Sequence, residues 1–241
     1  MNRYNIINIS DVDSTNDYAL SLKKSKLFQE GLVIIADFQK HGRGQRANRW
    51  ESVKGKNLII SVVIEPNIKI EKQFDINKIV SLSVMDCLFK LGLESKIKWP
   101  NDILVKKQKI AGILIDNLIT KDKIRYSIIG VGLNINQLIF KEYNPKATSL
   151  ALELNKNLIL EEVENLFLSS LRNRIKTYRS GKDMELEYLD SLFQINKVMV
   201  FKSNSQIFNG IIRNVNRKGF LVIETEDEIK HFGLKEIEMV F

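Results

Sequence analysis

The sequence predicts an α/β protein of the α+β type, in two parts, and three observations carry the prediction. Up to about residue 194, apolar runs of strand length are interspersed with amphipathic helical stripes; from about 195 onward, short β segments follow one another with no helix between them. The 241 residues suit one large domain with a small appendage, since one core commonly serves roughly 100–200 residues. With 44% apolar and 27% charged residues, the composition is that of an ordinary folded protein rather than a disordered one.

In order along the chain, the hydroxyl-rich tetrapeptide Asp13-Ser14-Thr15-Asn16 precedes a helical stripe of Tyr18, Leu22 and Leu27, so it marks a helix N-terminus. GLVIIADF (31–38) is a buried strand that runs into a basic loop, and NLIISVVIE (57–65) is the next strand. Ile76, Ile79, Val80, Val84, Cys87, Leu88 and Leu91 make the stripe of a helix over about 75–91. SKIKWPNDILV, KKQKIAGILID and RYSIIGVGLNIN then give successive strands, with turns at Pro100-Asn101-Asp102, at 106–108 and around 120–123. A helix at about 159–180 stops at Gly181, a residue suited to a C-cap, and a shorter one covers about 183–192. KVMVFKS, QIFNGIIRNV, GFLVIET and EIKHFGL, four β segments at regular spacing, predict a small barrel over 195–241.

The start, MNRYNIINISDVD, lacks a secretory apolar core, and the most hydrophobic run, LIISVVI (58–64), is far shorter than the roughly 20 residues of a membrane helix, so a cytoplasmic protein with no membrane partner is expected. Cys87 is the single cysteine, which leaves no internal disulfide, and with only His41 and His231 beside it no Cys/His metal site is expected. Its place on an apolar stripe makes it a small buried hydrophobe.

The net charge of +8 first suggests nucleic acid, but its location argues otherwise. Residues 40–56 hold six Lys and Arg against Glu51 alone, and residues 96–109 hold five Lys against Asp102 alone. Two compact basic clusters suit a small polyanion better than a duplex, and the segment from 195 onward is nearly neutral.

The first cluster is the loop QKHGRGQRANRWES (39–52). Its Gly42 to Ala47 satisfies the dinucleotide pattern G-x-G-x-x-G/A after a strand, with Glu65 at about the expected distance, but no amphipathic helix opens at the loop, so that reading fails. What remains is a glycine loop whose backbone N–H groups and guanidiniums can close on phosphate or carboxylate. A solvated basic loop is the alternative; Trp50, costly in so polar a stretch unless its face is covered, argues against it. The second cluster, Lys98-Trp99-Pro100-Asn101-Asp102, reads equally as an ordinary turn with an exposed lysine and as a rigidly aimed ammonium beside a carboxylate. Two cationic sites, a strand-end Asn134 and a hydroxyl-rich helix start suit chemistry between two anions, such as a carboxylate attacking the α-phosphate of ATP.

Taken in order, these residues resemble the biotin protein ligases. The resemblance covers nearly the whole chain and rests on DSTN (13–16), ADFQKHGRGQ (36–45), KWPNDIL (98–104), KIAGIL (109–114), GVGLNIN (130–136) and ATSL (147–150). It implies a catalytic domain over 1–194 on a central mixed sheet, of the kind shared with class II aminoacyl-tRNA synthetases, followed by an SH3-like barrel over 195–241. It also implies an activity: ATP and biotin, with Mg²⁺, give biotinyl-5′-AMP, and a lysine of a biotin carboxyl carrier protein then takes the biotin. By the same resemblance Ser14, Thr15, Asn16 and Gln39 would line the biotin pocket, Arg43, Gly44 and Gln45 would close over biotin and phosphate, and Gly112, Ile113 and Leu114 would offer backbone groups. Lys98 would contact the biotin carboxylate and the α-phosphate. Arg43, Arg46, Trp50, Lys98, Asn101 and Asn134 would serve ATP and the adenylate, with Lys98, Arg43 and Asp102 the catalytic set.

Two departures qualify the resemblance. Gln45 stands where many members carry arginine, so retention of the adenylate would rest more on Arg43 and Arg46. DSTN begins at residue 13, so no N-terminal winged helix is expected and no operator binding follows. The remaining readings are a lipoate or octanoate ligase, whose arginine-rich glycine-run motif is missing, a nucleic-acid-binding protein, and a degenerate biotin binder, which the intact Lys98 and Arg43 oppose. The chain could act as a monomer or a homodimer.

Overall fold

The computed structural model describes residues 4–44 and 49–240. Its first part runs β1 (Asn5–Val12), α1 (Thr15–Ser21), β2 (Leu32–Gln39), β3 (Leu58–Ile64), β4 (Ile68–Lys69), α2 (Gln73–Lys90), β5 (Lys96–Lys98), β6 (Asp102–Val105), β7 (Gln108–Thr120), β8 (Lys123–Leu133), α3 (Leu150–Leu154), α4 (Leu160–Arg179) and α5 (Glu185–Asp190). Its strands form one mixed sheet in the order β1-β2-β3-β8-β7-β6-β5, with β4 paired to β8. Among the described strands β1 and β2 pair in parallel and the other strand pairings are antiparallel.

Both faces of this sheet are covered, and the sequence of β3 shows why. All seven residues of LIISVVI are buried, as expected of a strand with protein on both sides rather than an alternating half-exposed one. Ile60, Val62 and Ile64 join the main core with α2 and α4, while Val63 turns to a smaller cluster with Ala19 of α1, Phe28, Leu32, Ile34 and Ile128. Each such side chain contributes about 1.5–3 kcal/mol on burial. Ser61, fully buried in the middle of this strand, is the exception that the site explains below.

The helices begin and end where the local chemistry directs. Ser14 has extended φ/ψ of −153° and 132° and its hydroxyl accepts the Asp17 N–H at 3.3 Å, which caps α1, while Asp17 suits the positive end of the helix. Gly181, at φ +84°, terminates α4 and its N–H returns to the Tyr178 carbonyl at 2.9 Å. Cys87 lies fully buried, and that burial pushes its thiol up to about 12, so it stays neutral as a core hydrophobe.

The C-terminal part holds β9 (Val198–Ser203), β10 (Gln206–Val215), β11 (Leu221–Glu224), β12 (Ile229–Phe232) and β13 (Glu238–Met239), an antiparallel sheet in the order β12-β11-β10-β9-β13. The four expected strands are present with β13 as a fifth, and among the described residues no pairing closes β12 on β13. This sheet is not free of the first part: Phe201, Ile212, Ile223 and Met239 belong to the same buried cluster as α2 and β6, and the Trp99 indole N–H donates to the Gly219 carbonyl at 3.0 Å.

Several expectations need correcting. The stripe of the first helix does not reach Leu27: α1 stops at Ser21, a 3-10 turn follows, and Leu27 is exposed while Tyr18 and Leu22 pack inward. β1, β4, α3 and β13 are additional to the expected elements. Among the described residues no helix is long and apolar enough to cross a membrane.

Candidate active site

A cavity of about 180 Å³ opens where α1, the end of β2, the β5–β6 turn, β7 and β8 converge. Ser14, Thr15, Asn16, Gln39, Arg43, Gly44, Trp50, Lys98, Asn101, Asp102, Gly112, Ile113 and Leu114 all line it, so residues 100 positions apart in sequence meet as the motifs require. Asn134 does not line it: it is buried with its amide donating to the Thr148 carbonyl at 2.9 Å, and its own N–H and carbonyl bond to Ile110 and Leu150. Gln45 and Arg46 lie outside the described residues.

One end of the cavity is rich in hydrogen-bonding side chains. The Gln39 side-chain oxygen accepts the Thr15 backbone N–H at 2.7 Å and its hydroxyl at 3.0 Å. Ser61 reaches up from β3 to within 2.7 Å of the Thr15 hydroxyl and 2.6 Å of Asn16 Oδ1, which is why a serine stands in an otherwise apolar strand. The pairing of Gln39 through its oxygen leaves its amide N–H groups as donors at this end.

The other end is cationic. Lys98 Nζ lies 3.3 Å from one oxygen of Asp102, and Lys109 Nζ lies 2.7 Å from the other, so a single carboxylate holds two ammoniums side by side. Burial alone pushes the Asp102 carboxyl up, but Lys109 and then Lys98 outweigh it and hold the group below the usual carboxylate range. The aimed ammonium beside a carboxylate is thus the geometry found at KWPND, and not an exposed lysine at a turn. Asn101 braces the turn, donating to the Ile113 carbonyl at 2.9 Å while its own carbonyl accepts the Ile113 N–H at 2.9 Å.

Trp50 lines the middle region. Its ring lies on β7 and β8 at two glycines: a Cβ added at Gly132 would stand 2.3 Å from the indole and one at Gly112 3.1 Å from it, while the Lys109 ammonium is 5.7 Å from the ring centre. Gly130 serves Asn16 in the same way, since a Cβ there would stand 2.5 Å from Asn16 Oδ1. The GVGLNIN motif therefore supplies closeness of approach rather than a phosphate loop. Arg43 lines the cavity, with its guanidinium bonded to Asp17 and, at 3.0 Å, to Asp116.

Lys109, Arg49, Gly130 and Gly132 are cavity residues that the sequence reading did not assign, although Lys109 opens the KIAGIL motif and the two glycines open GVGLNIN. Leu221, Ile237, Glu238 and Met239, from the C-terminal sheet, also reach the cavity wall. Among the described residues no three His, Cys, Asp or Glu side chains gather as a metal site. Two ammoniums opposite a donor- and acceptor-rich end suit an acid whose carboxylate meets a phosphate at the cationic end while its far end is held by hydrogen bonds.

Known proteins resemble this chain in sequence and in fold. It is 28% identical over 216 residues to the bifunctional ligase/repressor BirA of Bacillus subtilis (strain 168), covering 87% of this chain and 66% of that protein, so it spans slightly less than two thirds of that relative's length. It is 28% identical over 228 residues to a biotin–[acetyl-CoA-carboxylase] ligase of Mycobacterium tuberculosis, covering 90% of this chain and 82% of that one. The solved biotin protein ligase from Aquifex aeolicus, in complex with biotin and ATP, superposes with a TM-score of 0.80 at 26% identity over 98% of each chain. The profile of the biotin/lipoate A/B protein ligase family matches residues 9–134, more than half of the sequence, and the chain belongs to that family.

Proposed function

We propose that this protein is an ATP-dependent biotin protein ligase, which activates biotin as biotinyl-5′-AMP and transfers it to a lysine of a biotin carboxyl carrier protein. The observation that carries the reading is the pair of ammoniums, Lys98 and Lys109, held together by Asp102 at one end of a cavity whose other end is hydrogen-bonding. The likeness to an Aquifex aeolicus ligase that holds biotin and ATP supports it.

In the first step a biotin carboxylate oxygen bonds to the α-phosphorus of ATP and the bond to the bridging oxygen breaks, releasing pyrophosphate. Both partners are anions, so Lys98, Lys109 and Arg43 offset their repulsion and the charge that builds on the phosphoryl oxygens. In the second step the acceptor amine attacks the acyl carbon, AMP leaves with the bonding pair, and the nitrogen gives up a proton. Ser14, Thr15, Asn16 and Gln39 hold the ureido ring; Gly112, Ile113 and Leu114 offer backbone groups along the chain of the acid. Trp50 covers the adenylate, with Gly44 and Asn101 near the phosphate. Asp102, with each oxygen on a lysine, acts by positioning those lysines. Mg²⁺ accompanies ATP as substrate and relieves triphosphate charge.

The same reading divides the chain at 194/195 into a catalytic domain and an SH3-like one, places the protein in the cytoplasm, and gives it no nucleic-acid or membrane partner, as a monomer or a homodimer. ATP–pyrophosphate exchange tests it, with biotin, lipoate, octanoate or no acid, and Lys98→Ala as control. Biotin-dependent exchange that falls at least 100-fold in the variant is expected. Exchange with lipoate instead would move the protein to the sister branch of its family, and no exchange with any acid would overturn the reading.

A further inference from the structure

Behind the hydrogen-bonding end of the cavity stands Asp116, a β7 residue paired in register with Ile128, which no motif marks and which does not itself line the cavity. Its carboxylate joins two residues that do. One oxygen accepts the Asn16 side-chain N–H at 2.8 Å, and both oxygens face Arg43 Nη2 at 3.0 and 3.2 Å.

The consequence for Asn16 follows from counting its bonding capacity. Its amide nitrogen has two protons; one goes to Asp116, and the nitrogen also lies 3.3 Å from the Leu114 carbonyl. Its oxygen accepts from Ser61 at 2.6 Å and rests where Gly130 has no side chain. A carboxylate can only accept, so it fixes which end of the carboxamide faces it. The nitrogen is spent on the protein, and the capacity that Asn16 keeps for a ligand is the second lone pair of Oδ1. Nearby, Gln39 spends its oxygen on Thr15 and keeps its N–H groups.

We propose that Asp116 is a positioning and specificity-determining residue, which makes Asn16 a hydrogen-bond acceptor and docks Arg43 beside it, so that the cavity favours an acid whose far end carries an N–H next to a carbonyl. This rests on the ligase reading above. A cyclic urea presents that pair of groups; a dithiolane or a plain alkyl end presents neither and would leave the Asn16 oxygen and Gln39 N–H groups short of partners, which is where rejection by a polar site arises. The helix start, the basic loop and β7 are thereby joined through one side chain.

The test compares Asp116→Leu and Asp116→Asn with the wild type by pyrophosphate exchange, taking KM for biotin at saturating ATP and KM for ATP at saturating biotin. The leucine variant should raise the biotin KM on the order of tenfold, the scale of one hydrogen bond to a charged partner, and raise the ATP KM, through the released Arg43, by clearly less than that. Any weak exchange with octanoate should fall less than exchange with biotin. The asparagine variant, whose side-chain oxygen can still accept from Asn16, should lie between the two. A biotin KM within twofold of wild type in both variants, or equal rises in both KM values, would overturn the proposal. If the leucine variant does not fold, Ser61→Ala probes the other side of Asn16 and should raise the biotin KM alone. A readout independent of turnover is hydrogen exchange of the Asn16 side-chain amide, expected to be slow in the wild type and fast in Asp116→Leu; fast exchange in the wild type would remove the geometric premise. Loss of exchange activity with every acid, alongside a slow Asn16 amide, would count against the ligase reading and not against the placement of Asn16.

Discussion

Asp102 shows at the scale of one residue how the site trades repulsion for preorganisation. Two lysines a few ångströms apart repel, and each loses hydration as the site is buried; a carboxylate between them offsets both effects at the expense of its own burial. Because the folded pKa of Asp102 lies below its unfolded value, its contribution to stability is fully present above about pH 4, the ordinary carboxylate value, and is lost as the pH falls through the lower folded value. Asp102→Asn should therefore lower the urea midpoint at pH 7 and by much less at an acid pH below the lowered folded value, where the wild-type carboxyl has also lost its charge. An equal deficit at both pH values would show that shape, not charge, is what the residue supplies. The sequence revealed Lys98 and Asp102 because they stand four apart around a Pro-Asn turn. Lys109 was legible only as one more positive charge: its meeting with Asp102 depends on the register that pairs Asp102 with Gly112 across β6 and β7, and a local pattern carries no register.

At the scale of an element, β8 divides the cavity between its two ends through alternate glycines. Gly130 and Gly132 lie two apart, hence on the same face of the strand, and each admits a different neighbour, Asn16 in one case and Trp50 in the other. An alanine at either site forces that neighbour aside, and overpacking of this kind costs about 1–3 kcal/mol, which is on the order of tenfold in an equilibrium constant. Gly130→Ala should thus raise the biotin KM with little change for ATP, and Gly132→Ala should raise the ATP KM with little change for biotin; pyrophosphate exchange at varied ATP and biotin reads both. Reversed or parallel changes would show that the glycines do not sort the two substrates. The strands that lie at the centre of the sheet were legible because burial on both faces makes them continuous apolar runs. β1 was not, since its residues are mostly exposed and Ile7 and Ile9 alone of them pack on the smaller cluster described above, and β13 and α3 are too short to show a period.

At the scale of the whole molecule, the C-terminal sheet is part of the cavity's wall rather than an appendage. The four β segments were evident from their spacing, but nothing local to them says what they cover; Leu221, Ile237 and Met239 reach the cavity only because the sheet docks on the KWPND turn. Trp99 makes that dock. It is 3% exposed, its indole N–H donates to the Gly219 carbonyl at 3.0 Å, and Gly219, at φ +87°, sits so close to Phe74 of α2 that a Cβ there would be 2.5 Å from the ring. One buried cluster runs through both parts, which favours a single cooperative unfolding transition over two. Trp99→Phe keeps most of the apolar bulk but leaves the Gly219 carbonyl without its donor, at an expected cost of about 1–3 kcal/mol. Urea unfolding followed in parallel by far-UV circular dichroism and by Trp50 fluorescence tests both statements, since Trp50 is the remaining tryptophan in that variant. The two probes should trace one transition in the variant, at a lower midpoint than circular dichroism gives for the wild type. A variant that unfolds in two steps would mean that the Trp99 bond is what couples the sheets, and a wild type that already does so would mean that the shared core is too weak to couple them at all.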